Sequence, residues 1–184
     1  MFLPFPKNIN TNLLKDNFLI IQEEYKNLNY NDFLDYDNIK TGTRDIIINP
    51  KSTIDAKWQI KPLMFKNQRW PGVKSKTVEI IEQLGIQPLL ATFSRLAPFS
   101  KIDTHTDKDQ DLVEAKDTTV VKYHLTLESS NDGESALIVG GEKRILKIGD
   151  INCFDESIPH SVYNEGTKHR GVLLISWLRK DLEF

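Results

Sequence analysis

The sequence contains four histidines, and all of them lie between His105 and His169. His105 and Asp107 are two residues apart, so in a strand their side chains would project to the same face. His160 follows the turn-like segment 155–159 and would begin another strand. Two histidines and one carboxylate, with open positions opposite, form the ligand set of non-haem Fe(II) oxygenases. The pattern therefore predicts a metal site made of His105, Asp107 and His160.

The spacing alone leaves alternatives open at this site. A histidine two residues before an acid also occurs in surface loops, where neither residue binds a metal. Asp103 is also two residues from His105, so spacing does not choose between Asp103 and Asp107. The metal hypothesis therefore depends on a histidine from a distant strand, for which His160 is the best candidate.

Arg170 begins an apolar segment after a turn through Gly166. In a strand it would share one face with Val172, Leu174 and Ser176. If that face points into an apolar barrel, the arginine needs an anionic partner, because an unpaired buried charge is costly. A dicarboxylate co-substrate would supply this partner, since the guanidinium fork suits bidentate carboxylate binding. The alternative is an exposed arginine at the start of the strand.

Residues 120–127 alternate between an apolar and a more polar face. The apolar face carries Val121, Tyr123, Leu125 and Leu127, and the other carries Lys122, His124 and Thr126. An edge strand with a solvated outer face explains this pattern. Alternatively, Lys122 and His124 face inward and contact an anionic co-substrate. His169 would lie on the face opposite to Arg170, and we assign it no role.

The elements that must hold these residues are mostly short strands. Many short strands separated by turn signals are typical of a mainly β sandwich or barrel of jelly-roll type. The Gly140-Gly141 pair predicts a tight hairpin between two of them. The predicted strands are residues 88–97, 102–107, 119–128, 135–139, 143–148, 150–154, 161–164 and 170–178.

The N-terminal half has a different pattern from the strand-rich C-terminal half. Apolar periodicity predicts one helix over residues 12–28 and a second over 75–84, ended by Gly85. Short strands are predicted at 46–48 and 58–60, the latter ended by a turn at Lys61-Pro62. We expect a single domain over 1–184, with helices and short strands in 1–87 packed on a β core in 88–179. Four residues could line a substrate mouth or simply pack within the N-terminal layer: Arg44, Trp58, Arg69 and Trp70.

Composition limits the possible partners. The net charge is -2 with pI near 6.1, which gives no electrostatic footprint for nucleic acid. The chain has one cysteine, Cys153, so no internal disulfide framework is expected. No run approaches the roughly 20 apolar residues of a membrane-spanning helix, and the N-terminus does not match a signal peptide. We expect a cytoplasmic protein that acts on a small molecule or peptide.

Several segments carry a resemblance to a known family. They are Phe93-Ser94-Arg95-Leu96-Ala97-Pro98, residues 102–107, Lys122-Tyr123-His124-Leu125, residues 149–162 and Arg170 heading an apolar strand. Together they resemble the aspartyl/asparaginyl β-hydroxylase family of Fe(II)- and 2-oxoglutarate-dependent dioxygenases. The likeness covers roughly the C-terminal half of the chain, and the segment from His160 to Arg170 is its most specific part.

The resemblance implies a double-stranded β-helix, a cupin-like jelly roll, and a role for particular residues. His105 and His160 would bind iron, and Arg170 would bind a carboxylate of 2-oxoglutarate. Ser94 matches a serine that assists this carboxylate, and His124 matches a histidine beside the co-substrate. The resemblance also favours Asp107 over Asp103, although the best-known member has glycine there and manages with two histidines. Lys122 stands where peptide-modifying members tend to have arginine.

Three functions follow as hypotheses. The first is a dioxygenase that uses Fe(II), 2-oxoglutarate and dioxygen to hydroxylate an amino-acid side chain, free or within a peptide. The second is a cupin-like module that binds a metal or small acid without oxygenase turnover. The third is an isomerase or metal-dependent lyase on the same barrel, which would need neither Arg170 nor a keto acid.

Overall fold

The computed structural model describes residues 1–35, 58–109 and 113–184. Its helices are α1 (Asn12–Asp16), α2 (Phe18–Lys26) and α3 (Lys76–Ile81), with short 3-10 turns at Tyr30–Asp32 and Arg179–Asp181. Its strands are β1 (Leu34–Asp35), β2 (Trp58–Phe65), β3 (Gln68–Arg69), β4 (Leu90–Leu96), β5 (Ser100–His105), β6 (Val120–Glu128), β7 (Ser135–Val139), β8 (Glu142–Ile145), β9 (Ile151–Asp155), β10 (His160–Asn164) and β11 (Arg170–Leu178). The predicted strand at 46–48 and Arg44 lie outside the described residues.

The strands form two antiparallel sheets that enclose an interior. The larger sheet has the order β1–β2–β4–β11–β6–β9, with β3 paired to β2, and the smaller has the order β5–β10–β7–β8. From β4 to β11 the chain therefore fills four strands in each sheet, interleaved as in an eight-stranded jelly roll. This is the double-stranded β-helix, and the predicted fold class is confirmed.

The two faces of the larger sheet have different partners. Its outer face packs against the N-terminal helices in a cluster that includes Ile21 and Tyr25 of α2, Ile81 of α3, and Phe93 and Leu173 of the sheet. Its inner face meets the smaller sheet in a second cluster, formed by Phe2, Leu96, Ile102, Leu137, Val139, Leu146, Phe154 and Val162. The N-terminal helices thus cover one side of the sheet and leave the other side to the barrel interior.

Strand β6 lies inside the larger sheet and not at its edge. It pairs with β11 on one side and β9 on the other, so the edge-strand interpretation was wrong. Tyr123 and Leu125 lie in the cluster under the helices. Lys122 and His124 are buried and line the cavity on the inner face. The apolar side of β6 is therefore the outer one, because helices cover it.

Several predicted elements differ from the structure in extent. The helix predicted over 12–28 is two helices that break at Asn17, whose side chain donates to the Leu13 carbonyl at 2.9 Å. Such local side-chain bonds compete with a continuing helix. The turn predicted at Lys61-Pro62 is absent, because β2 runs through it to Phe65 with a register irregularity after Pro62. A bulge is one of the few places where a strand tolerates proline.

The strand predicted over 102–107 ends at His105, so Asp107 lies beyond it. Asp107 is fixed instead by its backbone N–H, which donates to the Glu156 carbonyl at 3.2 Å. No helix among the described residues is long and apolar enough to cross a membrane.

Candidate metal centre

Three side chains from separate parts of the barrel converge at its interior. His105 ends β5, His160 begins β10, and the two residues are register partners in the smaller sheet. Asp107 joins them from the segment after β5. Potential ligand atoms of the three residues lie within 4.8 Å of one another. His105 Nε2 is 3.6 Å from Asp107 Oδ1, and His160 Nε2 is 3.5 Å from Asp107 Oδ2.

Backbone carbonyls fix the protonation of both histidines. His105 Nδ1 lies 2.6 Å from the Asp103 carbonyl, and His160 Nδ1 lies 2.9 Å from the Ile158 carbonyl. A carbonyl accepts only from N–H, so both Nδ1 atoms carry the proton and both Nε2 atoms keep a lone pair. Burial favours this neutral form, because it lowers the pKa of His105. This backbone anchoring is typical of histidines that bind metals.

The donor set fits a divalent cation. Two imidazole lone pairs and a carboxylate face one another at about the separation of ligands around one ion. Asp107 Oδ1 is buried and has no hydrogen-bond partner among the described residues. Converging lone pairs repel unless a cation lies between them. Imidazole nitrogen with carboxylate oxygen suits first-row metals such as iron.

Charges around Asp107 keep its carboxylate ionised. Burial alone would raise the pKa of Asp107, but the neighbouring Lys122 ammonium acts against burial and the pKa is lowered. Lys122 Nζ lies within ion-pair distance of Asp107, Asp109 and Glu156. Burial raises the pKa of Glu156 to about 9, so Glu156 is protonated at neutral pH and the negative charge of this cluster lies mainly on Asp107, whose pKa is lowered.

A second group of polar residues lies in the same cavity. The Arg170 guanidinium donates to His124 Nδ1 at 3.1 Å, which leaves the His124 proton on Nε2. Burial, helped by the charge of Arg170, holds the pKa of His124 well below its ordinary value. His124 Nε2 and Arg170 Nε are buried without hydrogen-bond partners among the described residues. Ser94 Oγ accepts from Trp58 Nε1 at 2.6 Å. The cavity thus presents unused donors suited to an anion.

All seven residues predicted for the site line one cavity. They are His105, Asp107, His160, Arg170, Ser94, His124 and Lys122. Trp58, a candidate for the substrate mouth, lines it as well. Arg69 instead forms a two-bond ion pair with Glu82 at 2.6 and 2.7 Å, and Trp70 lines a separate cleft beside α2. Asp103 is exposed and pairs with Lys101 at 2.9 Å.

Sequence reasoning missed two buried acids, Asp109 and Glu156. Asp109 N–H donates to Glu156 Oε1 at 2.6 Å, which ties the segment after β5 to the turn before β10. The two acids are far apart in sequence, and neither lies in a strand. The available signal was the repeat of aspartate at positions 107 and 109.

A double-stranded β-helix with a His-Asp-His cluster inside its cavity is a cupin-like metal-binding architecture. A family model described as aspartyl/asparaginyl beta-hydroxylase matches residues 15–180. The chain belongs to this family, as the resemblance in sequence predicts. Membership supports an enzyme of hydroxylase or dioxygenase kind. No curated protein matches the chain significantly.

Solved structures with partial similarity include a predicted decarboxylase, a cupin domain and a dioxygenase. A predicted oxalate decarboxylase from Thermotoga maritima is 16% identical, with a TM-score of 0.42 over 66% of this chain and 80% of that chain. The Cnp3 cupin domain of Schizosaccharomyces pombe is 7% identical, with a TM-score of 0.43 over 73% and 75%. Salicylate 1,2-dioxygenase from Pseudaminobacter salicylatoxidans is 16% identical, with a TM-score of 0.34 over 50% and 21%.

Proposed function

We propose that this protein is an Fe(II)- and 2-oxoglutarate-dependent dioxygenase that hydroxylates an amino-acid side chain, free or within a peptide. The proposal rests on one cavity that is lined by two groups at once. The first is the triad of His105, Asp107 and His160, and the second is the buried Arg170. The triad supplies three protein ligands and leaves the remaining metal positions open. The arginine supplies a positive charge for a carboxylate. Family membership supports the same kind of enzyme.

In this proposal one group of side chains holds the metal and a second group binds the keto acid. His105, Asp107 and His160 would hold Fe(II), which supplies dioxygen activation that side chains alone cannot perform. Arg170 would bind the distal carboxylate of the keto acid through its guanidinium fork. His124 would donate its Nε2 proton to the same anion, because Nδ1 is already bonded to Arg170. Ser94 would add a hydroxyl to that carboxylate.

The cavity walls are arranged to exclude water. Leu174 and Phe154 are buried apolar residues in its lining. The free volume of the cavity is about 40 Å³. This is room for only a few water molecules, at roughly 10–15 Å³ each. A five-carbon keto acid is larger, so we expect side chains at the rim, such as Trp58, to move when it binds.

A direct test is succinate formation from 2-oxoglutarate under air with Fe(II). Wild-type protein should form succinate without an added substrate, at a low rate, and His105→Ala should not. His169→Ala is the matched control, because His169 lies outside the cavity. A metal-loaded wild-type protein that neither binds 2-oxoglutarate nor forms succinate would contradict the proposal.

The substrate can be sought separately. Incubation with a panel of amino acids and short peptides, followed by mass spectrometry, should reveal a gain of one oxygen atom. Loss of the product in Asp107→Ala would tie the reaction to the triad.

The small free volume favours one alternative, a cupin-like module that binds a metal or a small acid without turnover. It predicts that metal and small carboxylates stabilise the protein without oxygen consumption. Oxygen uptake coupled to succinate release distinguishes the two functions. A lyase on the same barrel would keep its activity in Arg170→Met, whereas the proposed dioxygenase would lose it.

A further inference from the structure

The ammonium group of Lys122 is surrounded by acidic side chains. The Lys122 side chain is 9% exposed, and its Nζ contacts Asp107 Oδ2, Asp109 Oδ2 at 3.2 Å and Glu156 Oε2 at 3.1 Å. Asp109 and Glu156 are themselves buried, with side chains 4% and 0% exposed. These acids meet no other cation in an ion pair among the described residues. The ammonium is therefore the positive centre of a buried acidic cluster.

Acidic side chains occupy the space around the Lys122 ammonium. Oxygens of three of them lie within 3.2 Å of Nζ, and Asp107 Oδ2 accepts a hydrogen bond from it. An incoming anion would have to displace one of these side chains to reach Nζ. This differs from Arg170, whose Nε has no partner among the described residues.

The two oxygens of Asp107 are used differently. Oδ2 accepts a hydrogen bond from Lys122, whereas Oδ1 is buried without a hydrogen-bond partner among the described residues. Oδ1 is also the oxygen nearest to His105 Nε2, at 3.6 Å. A carboxylate held through one oxygen keeps a fixed orientation and offers the other oxygen to a metal. Such outer partners orient metal ligands and are important for affinity.

We propose that Lys122 is a positioning residue for Asp107, and that Asp109 and Glu156 hold its ammonium in place. Lys122 then acts on the metal through Asp107 and does not bind the co-substrate. This role differs from the co-substrate contact that the family resemblance implies for this position. The inference rests on the proposed metal site, but it requires neither 2-oxoglutarate turnover nor a known substrate.

The experiment compares two affinities in the full-length protein. Co(II) affinity is measured by its visible absorption, and 2-oxoglutarate affinity is measured on protein saturated with Co(II) under anaerobic conditions. Lys122→Met should lower Co(II) affinity by about 10- to 100-fold, the range found for residues that orient metal ligands. It should leave 2-oxoglutarate affinity of the saturated protein within about twofold. Arg170→Met should show the opposite pattern.

A double-mutant cycle tests whether Lys122 acts through Asp107. In an Asp107→Ala background, Lys122→Met should have no further effect on Co(II) affinity, because the group it orients is gone. Ser176→Ala is the matched control, since Ser176 is the register partner of Lys122 on β11 and is fully buried. It should leave both affinities unchanged. Lys122→Arg should restore part of the Co(II) affinity, because it keeps a donor and a positive charge.

Several outcomes would overturn the proposal. They are unchanged Co(II) affinity in Lys122→Met, a rise in that affinity, or a loss of 2-oxoglutarate binding as large as in Arg170→Met. If Lys122→Met does not fold, Glu156→Gln decides the matter. Its amide oxygen can still accept from Asp109 N–H, while its NH2 group replaces the Oε2 that faces Lys122 Nζ and so removes that contact. Unchanged Co(II) affinity in this variant would reject the positioning role. Failure of the metal site itself would appear already in the wild type.

Discussion

Arg170 carries its charge inside the barrel without a carboxylate partner among the described residues. It is 3% exposed, and its guanidinium donates to His124 Nδ1. Burial lowers the pKa of Arg170 to about 10, which still leaves it charged at neutral pH. Replacing a buried charge by an apolar side chain of similar size is often stabilising. Ligand binding therefore explains a buried arginine at this position better than a contribution to stability does.

We predict that Arg170→Met raises the free energy of unfolding of the ligand-free protein by about 1–3 kcal/mol. The same variant should lose 2-oxoglutarate affinity by about 100-fold or more, because it removes a buried partner of the carboxylate. Urea denaturation and ligand titration measure the two effects.

Arg95→Met provides the control for Arg170→Met. Arg95 faces the outer side of the same sheet, donates to Gln59 at 2.7 Å and stacks on Phe33. It should lose some stability and keep 2-oxoglutarate affinity. A loss of stability in Arg170→Met, with unchanged ligand affinity, would assign Arg170 a structural role instead.

The sequence predicted which residues line the cavity, but it did not predict which side chains contact one another there. His105 and His160 were predicted because histidines are rare in this chain and because the ligand set is chemically specific, whereas Asp107 was preferred to Asp103 through the family resemblance. The contacts of Lys122 were not predictable, because they depend on Asp109 and Glu156 in segments outside the strands. Periodicity gives the direction of a side chain in a strand, but it says nothing about loops that fold back over that side chain.

Strand β11 and helix α2 are in close contact where Arg170 begins the strand. A side-chain carbon at Gly171 would overlap the phenol ring of Tyr25. Tyr25 is held in place by its hydroxyl, which donates to Glu128 at 2.8 Å. The register of β11 on β6 also shifts between Gly171 and Val172. Glycine at 171 therefore lets the helix lie flat against the sheet beside Arg170.

We predict that Gly171→Ala lowers the free energy of unfolding by about 1–3 kcal/mol through overpacking. Tyr25→Ala should also be destabilising, because it removes a buried ring. The double variant should lose less than the sum of the two, since Tyr25→Ala makes room for the new methyl group. Urea denaturation of the four proteins tests this coupling, and strict additivity would argue against the contact.

The end of β9 is fixed by Asp155, which precedes the turn leading to His160. Asp155 Oδ1 accepts from Ser157 N at 3.0 Å and Ser157 Oγ at 2.6 Å. Its Oδ2 accepts from Thr119 Oγ1 at 2.6 Å and Arg179 Nη1 at 3.0 Å. Burial would raise the pKa of Asp155, but these hydrogen bonds outweigh it and lower the pKa below the ordinary 3.8.

We predict that Asp155→Asn costs about 1.5–3 kcal/mol at neutral pH, the range for hydrogen bonds to a charged group. A carboxyl whose pKa is lower in the folded state stabilises the protein above its unfolded pKa. That stability is lost as the pH falls below about 4 toward the folded value. The difference between wild type and variant should therefore shrink at acidic pH, as measured by urea denaturation across pH 3–7. A constant difference would mean that the amide disrupts packing instead.

Strand ends were predicted well where the chain carries strong turn signals. The segments 135–139 and 170–178 match β7 and β11 in full. Gly133 and Gly140 flank the first segment, and Gly166 lies in the turn before the second. Errors arose where tertiary contacts override local preference. Proline often ends a strand, but pairing of β2 with β4 continues on both sides of Pro62. Asn17 breaks a pattern that is periodic on both sides, because a single side-chain bond decides the conformation there.

Across the whole molecule, the larger sheet has an apolar face that stabilises the fold and a polar face that lines the cavity. Its outer face is apolar and lies under α1, α2 and α3. Its inner face carries Ser94, Lys122, His124 and Arg170, all buried and polar. Buried polar groups without partners reduce stability. The apolar cluster on the outer face must therefore offset the free-energy cost of the polar groups on the inner face. The alternation of side chains along β6 and β11 allows one sheet to serve both purposes.

We predict that a divalent metal stabilises the entire fold, because it relieves repulsion among His105, Asp107 and His160. A ligand that binds only the folded state adds about 2.7 kcal/mol when present at a hundred times its dissociation constant. Urea denaturation in anaerobic Fe(II) or Co(II), compared with a chelator, should show this gain. The double variant His105→Ala/His160→Ala should show none, while His169→Ala should respond as the wild type does. An equal gain in the double variant would mean that the metal binds elsewhere, and the convergence of the three side chains would then need another explanation.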